Sequence, residues 1–407
     1  GRHVSTTLRT IDDIIEYYRL KEKPGVLLAL DFQKAFDSIS KNYMLSAFKK
    51  FGFGNEFVQW IKVLFTDTKS CMIYNGWLSE DFAVKCGIRQ GCPFSPLAFV
   101  MGVELLAIRL RQSAEVKGMD VDVGKLLKVL LYADDITVFL KDREDVSFVL
   151  KIIDEFSVIS GLHLNKQKSE AMGIGLNRHE KFGFGLKWVD NIKILGVYFC
   201  NTKSASEIDL NWTLKITQIK QLILNWEKRN LGLLGKICII KSFLLSQFIY
   251  VMQAICIPET VLKEVNTILY RFLWRKANCN RKAFEKVKRV VVNSDVDKGG
   301  IKMIDVEVMQ ESFLCQWLSK LAMADTLKKW TWIPSEIFSA FGRDFACLNT
   351  TVGPSKFKGL NCITSVFWKA VLRTWVKYNK HSHNTPCKVT CIWNNSNIMY
   401  QHNVIYF

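Results

Sequence analysis

No uninterrupted run of about 20 apolar residues, the length that a membrane-spanning helix needs, occurs in this chain of 407 residues. Its most apolar segment, Ile237 to Ile257, follows directly on Lys236 and is interrupted by Lys241, Gln247 and Gln253, so it reads as a buried bundle helix. Cys-x-x-Cys spacing is also missing from the 12 cysteines, and no secretory signal precedes them. A disulfide framework is therefore not expected, and the thiols read as reduced and intracellular. Cys387 and Cys391 followed by His402 loosely resemble the start of a zinc knuckle, but no fourth ligand follows before Phe407. Acidic residues are scarce: 38 Asp and Glu stand against 56 Lys and Arg, a net charge of +18. Such an excess calls for a polyanionic partner, of which nucleic acid is the natural candidate. Residues 201–300 hold 17 basic against 8 acidic residues, half of the whole excess, and are the part expected to face that partner.

The few acids include an informative set. Asp31 ends the apolar run Val26 to Leu30, and Asp134-Asp135 follow the apolar run Val129 to Tyr132, with Ile136 to Leu140 continuing beyond them. These runs read as buried sheet strands, which puts Asp134 and Asp135 at or near the tip of a hairpin. A lone Asp-Asp pair can serve a turn's own backbone hydrogen bonds. Turn chemistry does not explain Asp31, a carboxylate with no local duty. If the strands are neighbours, three carboxylates converge and raise each other's pKa unless a cation neutralises them. Oxygen ligands with no His or Cys nearby suit Mg2+ or Mn2+. Two such ions about 4 Å apart are the clamp of in-line phosphoryl transfer.

Between these acids, Gly87-Ile88-Arg89-Gln90-Gly91-Cys92-Pro93-Phe94-Ser95-Pro96 is a turn-rich loop that feeds an apolar helix over Leu97–Arg111, with Ser95 suited to its cap and Pro96 to its first turn. Taken alone it reads as a helix-initiating loop whose Arg89 and Gln90 can donate hydrogen bonds to phosphate, base or sugar. Helices are expected at Ile11–Leu20, Lys41–Lys50, Phe57–Phe65 and Asp145–Ser160, and strands at Val26–Phe32 and Ile192–Cys200, a mixture that fits an α+β antiparallel sheet packed on helices. Leu210–Asn230, the segment from Ile237 and a helix from Pro258 to about Lys276 carry apolar residues at helical spacing with basic residues among them. The tryptophan-rich part after Gly300 is expected to be mostly helical.

Lys34-Ala35-Phe36-Asp37 after Asp31, the Gly87–Pro96 loop and Tyr132-Ala133-Asp134-Asp135, in this order and spacing, resemble the palm of reverse transcriptases encoded by non-long-terminal-repeat (LINE-type) retrotransposons. Gly161 to Ser169 looks like that family's fourth palm motif, Ile194-Leu195-Gly196-Val197 is similar to its primer-grip hairpin, and Asp297 to Ile301 resembles a block after the thumb. The likeness covers roughly residues 1–310. It implies a right-hand polymerase palm with partial fingers over residues 1–204, a helical thumb over 205–295 and a mostly helical region of unknown role over 296–407. By the same resemblance, Asp31 and Asp134 would hold two Mg2+ ions, or Mn2+, with Asp135 in support and the Phe32 carbonyl as an extra ligand. Phe36 would be a steric gate against ribonucleotides, although the bare residues without the motif favour a core aromatic on the strand-to-helix turn. Gln90 and Gly91 would line the deoxynucleoside triphosphate and Arg89 the template, while Leu195 and Gly196 would grip the primer. Lys168 would protonate the leaving pyrophosphate, or is simply a solvated lysine.

The activity so implied is RNA-directed DNA polymerisation with an RNA template and a DNA primer. Nuclear action with a cytoplasmic ribonucleoprotein stage follows from the same resemblance. A catalytically inactive nucleic-acid-binding remnant and a maturase-like splicing factor are the alternatives. The chain opens at Gly1-Arg2-His3, and the fingertip strands and endonuclease of such elements are expected upstream of it.

Overall fold

The computed structural model describes residues 3–122, 125–177, 183–201, 209–275, 285–322, 329–339, 363–379, 399–400 and 403–404. Cys387, Cys391 and His402 lie outside the described residues. Contacts divide the chain into two compact units: one runs from Tyr17 to Thr202, and the other joins His3–Glu16 to the described residues from 209 onward.

The first unit is built on Pro24–Leu30, a strand whose Val26, Leu27 and Leu28 are all fully buried. Apolar residues on both faces leave no solvated side, so such a strand belongs in the middle of a sheet. It pairs antiparallel with Asp135–Leu140 on one side and Glu170–Gly175 on the other, and Val129–Tyr132 and Lys187–Trp188 complete the five strands. Helices Lys41–Lys50, Ser95–Gln112 and Asp145–Ser160 cover the sheet, sending Met44, Phe48, Phe99, Val103, Leu106, Val149 and Ile153 into one core. Each such side chain contributes roughly 1.5–3 kcal/mol by leaving water. Truncating fully buried Phe99 to Ala would cost about 3–5 kcal/mol.

Several expectations shift. The strand anticipated over Ile192–Cys200 is two strands, Asn191–Ile194 and Val197–Cys200, because Leu195-Gly196 takes positive φ and turns the chain back. The helix anticipated from Phe57 begins at Asn55, and the strand anticipated over Val26–Phe32 is Pro24–Leu30. The helix anticipated at Leu97 begins at Ser95, with Phe94 rather than Ser95 at the capping position and Pro96 in the first turn, where its missing N–H forfeits no intrahelical bond. The one anticipated from Ile11 begins at Val4. A segment that the sequence leaves unassigned, Lys69–Ala83, forms two nested hairpins around Asn75-Gly76, both at positive φ (47° and 83°), the requirement of a two-residue type I′ turn. Its root is stapled by Lys41, whose ammonium donates to Thr68 Oγ1 at 2.5 Å and to the Val84 carbonyl.

In the second unit, helices Leu214–Glu227, Glu259–Trp274, Val306–Ala322 and Val366–Asn379 bury Ile219, Val265, Leu269, Trp317 and Trp368. The apolar segment read as one bundle helix is broken: Leu233–Ile239 passes into a π-helical turn, Ile240–Leu244, before Ser246–Met252, with a bend of 42°. A π turn widens the backbone hydrogen-bond ladder and redirects the axis. Among the described residues no single helix is long and apolar enough to cross a membrane.

Helix Val4–Leu20 contributes a buried charged set to the second unit. Arg9 is fully buried and bonds Asp13 at 2.9 Å, Asp12 and the Ala254 carbonyl. Trp368 Nε1 donates to Asp13 and Ser365 Oγ donates to Glu16. Three carboxylates thus surround one guanidinium. Burial pushes the Asp13 carboxyl up to about 7 against the pull of Arg9, with Asp12 and Glu16 adding to the rise.

Candidate active site

Strand register brings the sequence-predicted acids together. The ladder ends with Leu30 paired to Ile136, so Asp31 follows Leu30 just beyond it while Asp135 adjoins Ile136 on the neighbouring strand. Tyr132 pairs with Asp135, which leaves Ala133-Asp134 as the two-residue hairpin loop. Ala133 takes φ 54°, a left-handed conformation costing an L-residue roughly 1–2 kcal/mol, held here by the hairpin pairing on either side.

The electrostatics follow from that geometry. Partial desolvation raises the Asp135 carboxyl above the usual range, and the charges of Asp134 and then Asp31 add to the rise. The three acids therefore share one neighbourhood. Among the described residues, however, no three His, Cys, Asp or Glu side chains are arranged to hold a metal ion unaided. The convergence expected from the sequence is thus of neighbours rather than of a closed cage, as unneutralised like charges require. Their donor chemistry, carboxylate oxygen throughout, fits a hard divalent cation whose remaining ligands come from water or substrate phosphate.

Asp31 leads into a turn that carries Phe36. Phe32 is buried and bridges Leu164, and the bonds of that bridge are made by Gln33 N–H to the His163 carbonyl and Asn165 N–H to the Asp31 carbonyl. The Phe32 carbonyl thus stays outside the bridge. The half-buried ring of Phe36 stacks on fully buried Phe99, with centroids 4.9 Å apart and planes at 15°. The Gly87–Pro96 loop is laid on the same turn, because Gly87 N–H donates to the Ile39 carbonyl at 2.8 Å and Ile88 N–H to the Phe36 carbonyl at 2.7 Å. Gly87 and Ile88 are buried, whereas Arg89, Gln90 and Gly91 stand exposed beyond that clamp.

Lys168 is exposed on the turn that follows Leu164. Leu195 and Gly196, at φ 49° and 76°, form the tip of a separate hairpin, Asn191–Ile194 with Val197–Cys200. Of the basic residues on helix Leu214–Glu227, Lys220 pairs with Glu264 at 2.8 Å, and beyond its end Arg229 lies 4.7 Å over the Trp226 ring. Sequence reasoning missed the Gly87–Ile88 clamp, Phe99 and the buried Ser169 beside Asp31. Only Gly87 had a trace in the sequence, as a residue type that tolerates positive φ and close backbone approach.

Residues 2–199 match the family described as Reverse transcriptase (RNA-dependent DNA polymerase). Those residues, just under half of the chain, read as a reverse transcriptase domain. Its likeness to retrotransposon proteins without long terminal repeats extends past that match. The Transposon TX1 uncharacterized 149 kDa protein of Xenopus laevis is 23% identical over 353 residues, 83% of this chain and 26% of that protein. A Retrovirus-related Pol polyprotein from type-1 retrotransposable element R2 of Popillia japonica is 24% identical over 346 residues, 82% of this chain and 54% of that one. The chain thus spans from about a quarter to about half the length of these relatives. A solved telomerase from Candida albicans, in complex with a fragment of telomeric RNA, aligns at a TM-score of 0.38 and 14% identity over 67% of this chain and 44% of that one. Reverse transcriptases in general work with divalent metal ions.

Proposed function

We propose that the chain polymerises DNA on an RNA template as part of a non-long-terminal-repeat retrotransposon protein. The observation that carries this reading is the nearness of three acids: Asp31 just past Leu30, the partner of Ile136, Asp135 beside Ile136, and Asp134 in the adjoining loop, with the charges of Asp134 and Asp31 both felt at Asp135. Asp31 and Asp134 would hold two Mg2+ ions, with Asp135 in support. When bound, such ions supply positive charge to the attacking 3′-oxygen of a DNA primer and to the departing pyrophosphate. Phe36 would press its ring beneath the sugar and exclude a 2′-hydroxyl. Gln90 and Gly91 would line the deoxynucleoside triphosphate and Arg89 the template. Leu195 and Gly196 would support the primer end, and Lys168 would give its proton to pyrophosphate. The excess of basic residues after 201 supports a nucleic-acid duplex as partner, and nuclear action fits a protein that copies RNA into a chromosomal site.

Primer extension on RNA and DNA templates with Mg2+ or Mn2+ tests the reading. Incorporation should fall by roughly a thousandfold or more in Asp134→Asn, the scale of losing a charge-stabilising group at a reacting centre, with folding intact. Duplex binding without incorporation by the unaltered chain, or full activity in Asp134→Asn, would sink it.

A further inference from the structure

Asp31 sits where the sheet runs out. On one side its ladder ends at Leu30 paired with Ile136, and on the other at Ala29 paired with Glu170. A half-buried backbone at that point still needs partners for its N–H and carbonyl. Both come from one five-residue turn. The Asp31 carbonyl accepts Asn165 N–H at 2.8 Å, and Asp31 N–H donates to Ser169 Oγ at 3.1 Å. Ser169 is fully buried, and its own N–H donates back to the Asn165 carbonyl at 2.9 Å. Lys168 N–H donates to both the carbonyl and the Oδ1 of Asn165, each at 3.2 Å. The residue bearing the carboxylate is therefore held at both its peptide groups by a side chain and a backbone from 134 to 138 positions away, and the same turn presents Lys168.

We propose that Ser169 is a positioning residue for Asp31: its buried hydroxyl takes over from the exhausted sheet ladder and fixes the carboxylate for a divalent cation. The proposal rests on the metal-dependent reading above. It names a residue outside the carboxylate set, and it ties the orientation of Asp31 to the Asn165–Ser169 turn. Loss of that acceptor would leave a half-buried N–H unpaired, a penalty of a size that shifts an equilibrium by about tenfold.

Two measurements on the full chain decide it. Amide hydrogen exchange in a peptide covering residues 27–32 reads the Asp31 N–H without metal, and Mn2+ alone, titrated by electron paramagnetic resonance, reads the cation affinity. Ser169→Ala and the volume-keeping but poorly accepting Ser169→Cys should each speed exchange at Asp31 by about tenfold, leave Leu27 and Leu28 protected, and weaken Mn2+ binding by about tenfold. Ser169→Thr, which keeps the hydroxyl, should stay near the unaltered protein in both. Unchanged exchange and affinity in Ser169→Ala and Ser169→Cys would overturn the proposal. Faster exchange with unchanged Mn2+ affinity would also overturn it, since Ser169 would then close the strand without orienting the acid. If the unaltered chain takes up no Mn2+, the metal-dependent reading itself fails, and the metal-free exchange still decides whether Ser169 holds Asp31.

Discussion

Replacing Gly87 with Ala separates two physical costs that usually come together. Gly87 has φ +82°, and a Cβ built on it would lie 2.7 Å from the Asp37 carbonyl oxygen, 2.8 Å from its Cα and 2.9 Å from its carbonyl carbon. All three are backbone atoms, so no side-chain rotation relieves the contact. The left-handed conformation alone costs an L-residue about 1–2 kcal/mol. Moving the two strands of chain apart also stretches the bonds from Gly87 to Ile39 and from Ile88 to Phe36, each contributing about 0.5–1.5 kcal/mol. The expected loss is roughly 2–5 kcal/mol. Gly91 supplies the control, for its φ is +83° yet a Cβ added there would meet nothing within 4 Å, so Gly91→Ala carries only the conformational cost. Urea denaturation of both variants should place Gly87→Ala at least about 1 kcal/mol below Gly91→Ala. Equal losses would refute the reasoning, since the clamp would then hold nothing that a methyl group disturbs.

Phe36→Val should raise the ratio of ribonucleotide to deoxyribonucleotide incorporation by roughly tenfold or more, the effect of removing one steric block; unchanged discrimination in a folded variant would return Phe36 to a packing role against Phe99. Asp13 should give stability a pH dependence of definite sign. Its folded pKa of about 7 lies above the ordinary 3.8, so the native state holds the proton more tightly and the group's contribution is full below 3.8 and lost as pH rises through 7. Subtracting the stability profile of Asp13→Asn should isolate that decline, and superimposable profiles would show that Asp13 does not titrate there.

Elements with a strong apolar period are legible in the sequence because burial, not partner choice, forms them. Helices Lys41–Lys50 and Asp145–Ser160 and strand Val129–Tyr132 run between the residues that the pattern predicts. Strand Glu170–Gly175 is different: Glu-Ala-Met-Gly-Ile-Gly has two glycines and weak strand preference, and it becomes a strand because Pro24–Leu30 offers it an edge. The hairpins of Lys69–Ala83 leave Ile73, Tyr74, Trp77 and Leu78 exposed, so no alternation between buried and solvated faces marks them. At the candidate site, the three acids are readable because carboxylates beside apolar strands have no local use. Ser169 is not readable, since one buried hydroxyl looks like any other serine until the strand that needs it is placed alongside.

The buried set around Arg9 shows why such patterns can mislead in the opposite direction. Arg9, Asp12, Asp13 and Glu16 recur at three- and four-residue intervals, the spacing of a solvated, salt-bridged helix face. Arg9 is nevertheless fully buried and Asp13 and Glu16 nearly so, because Trp368, Ser365 and the Ala254 carbonyl supply polar partners that the helix itself lacks. The guanidinium also lies 4.1 Å over the Phe367 ring, so its face is covered as well as its edges. A charged face is driven to water only when nothing in the protein can satisfy it. Here the satisfying groups lie 245 to 355 positions along the chain, and removing one of them would strand a charge, whereas removing a surface partner would not. Trp368 is therefore held in place by its indole N–H as well as by its apolar ring, so polar matching joins apolar packing in this unit's core.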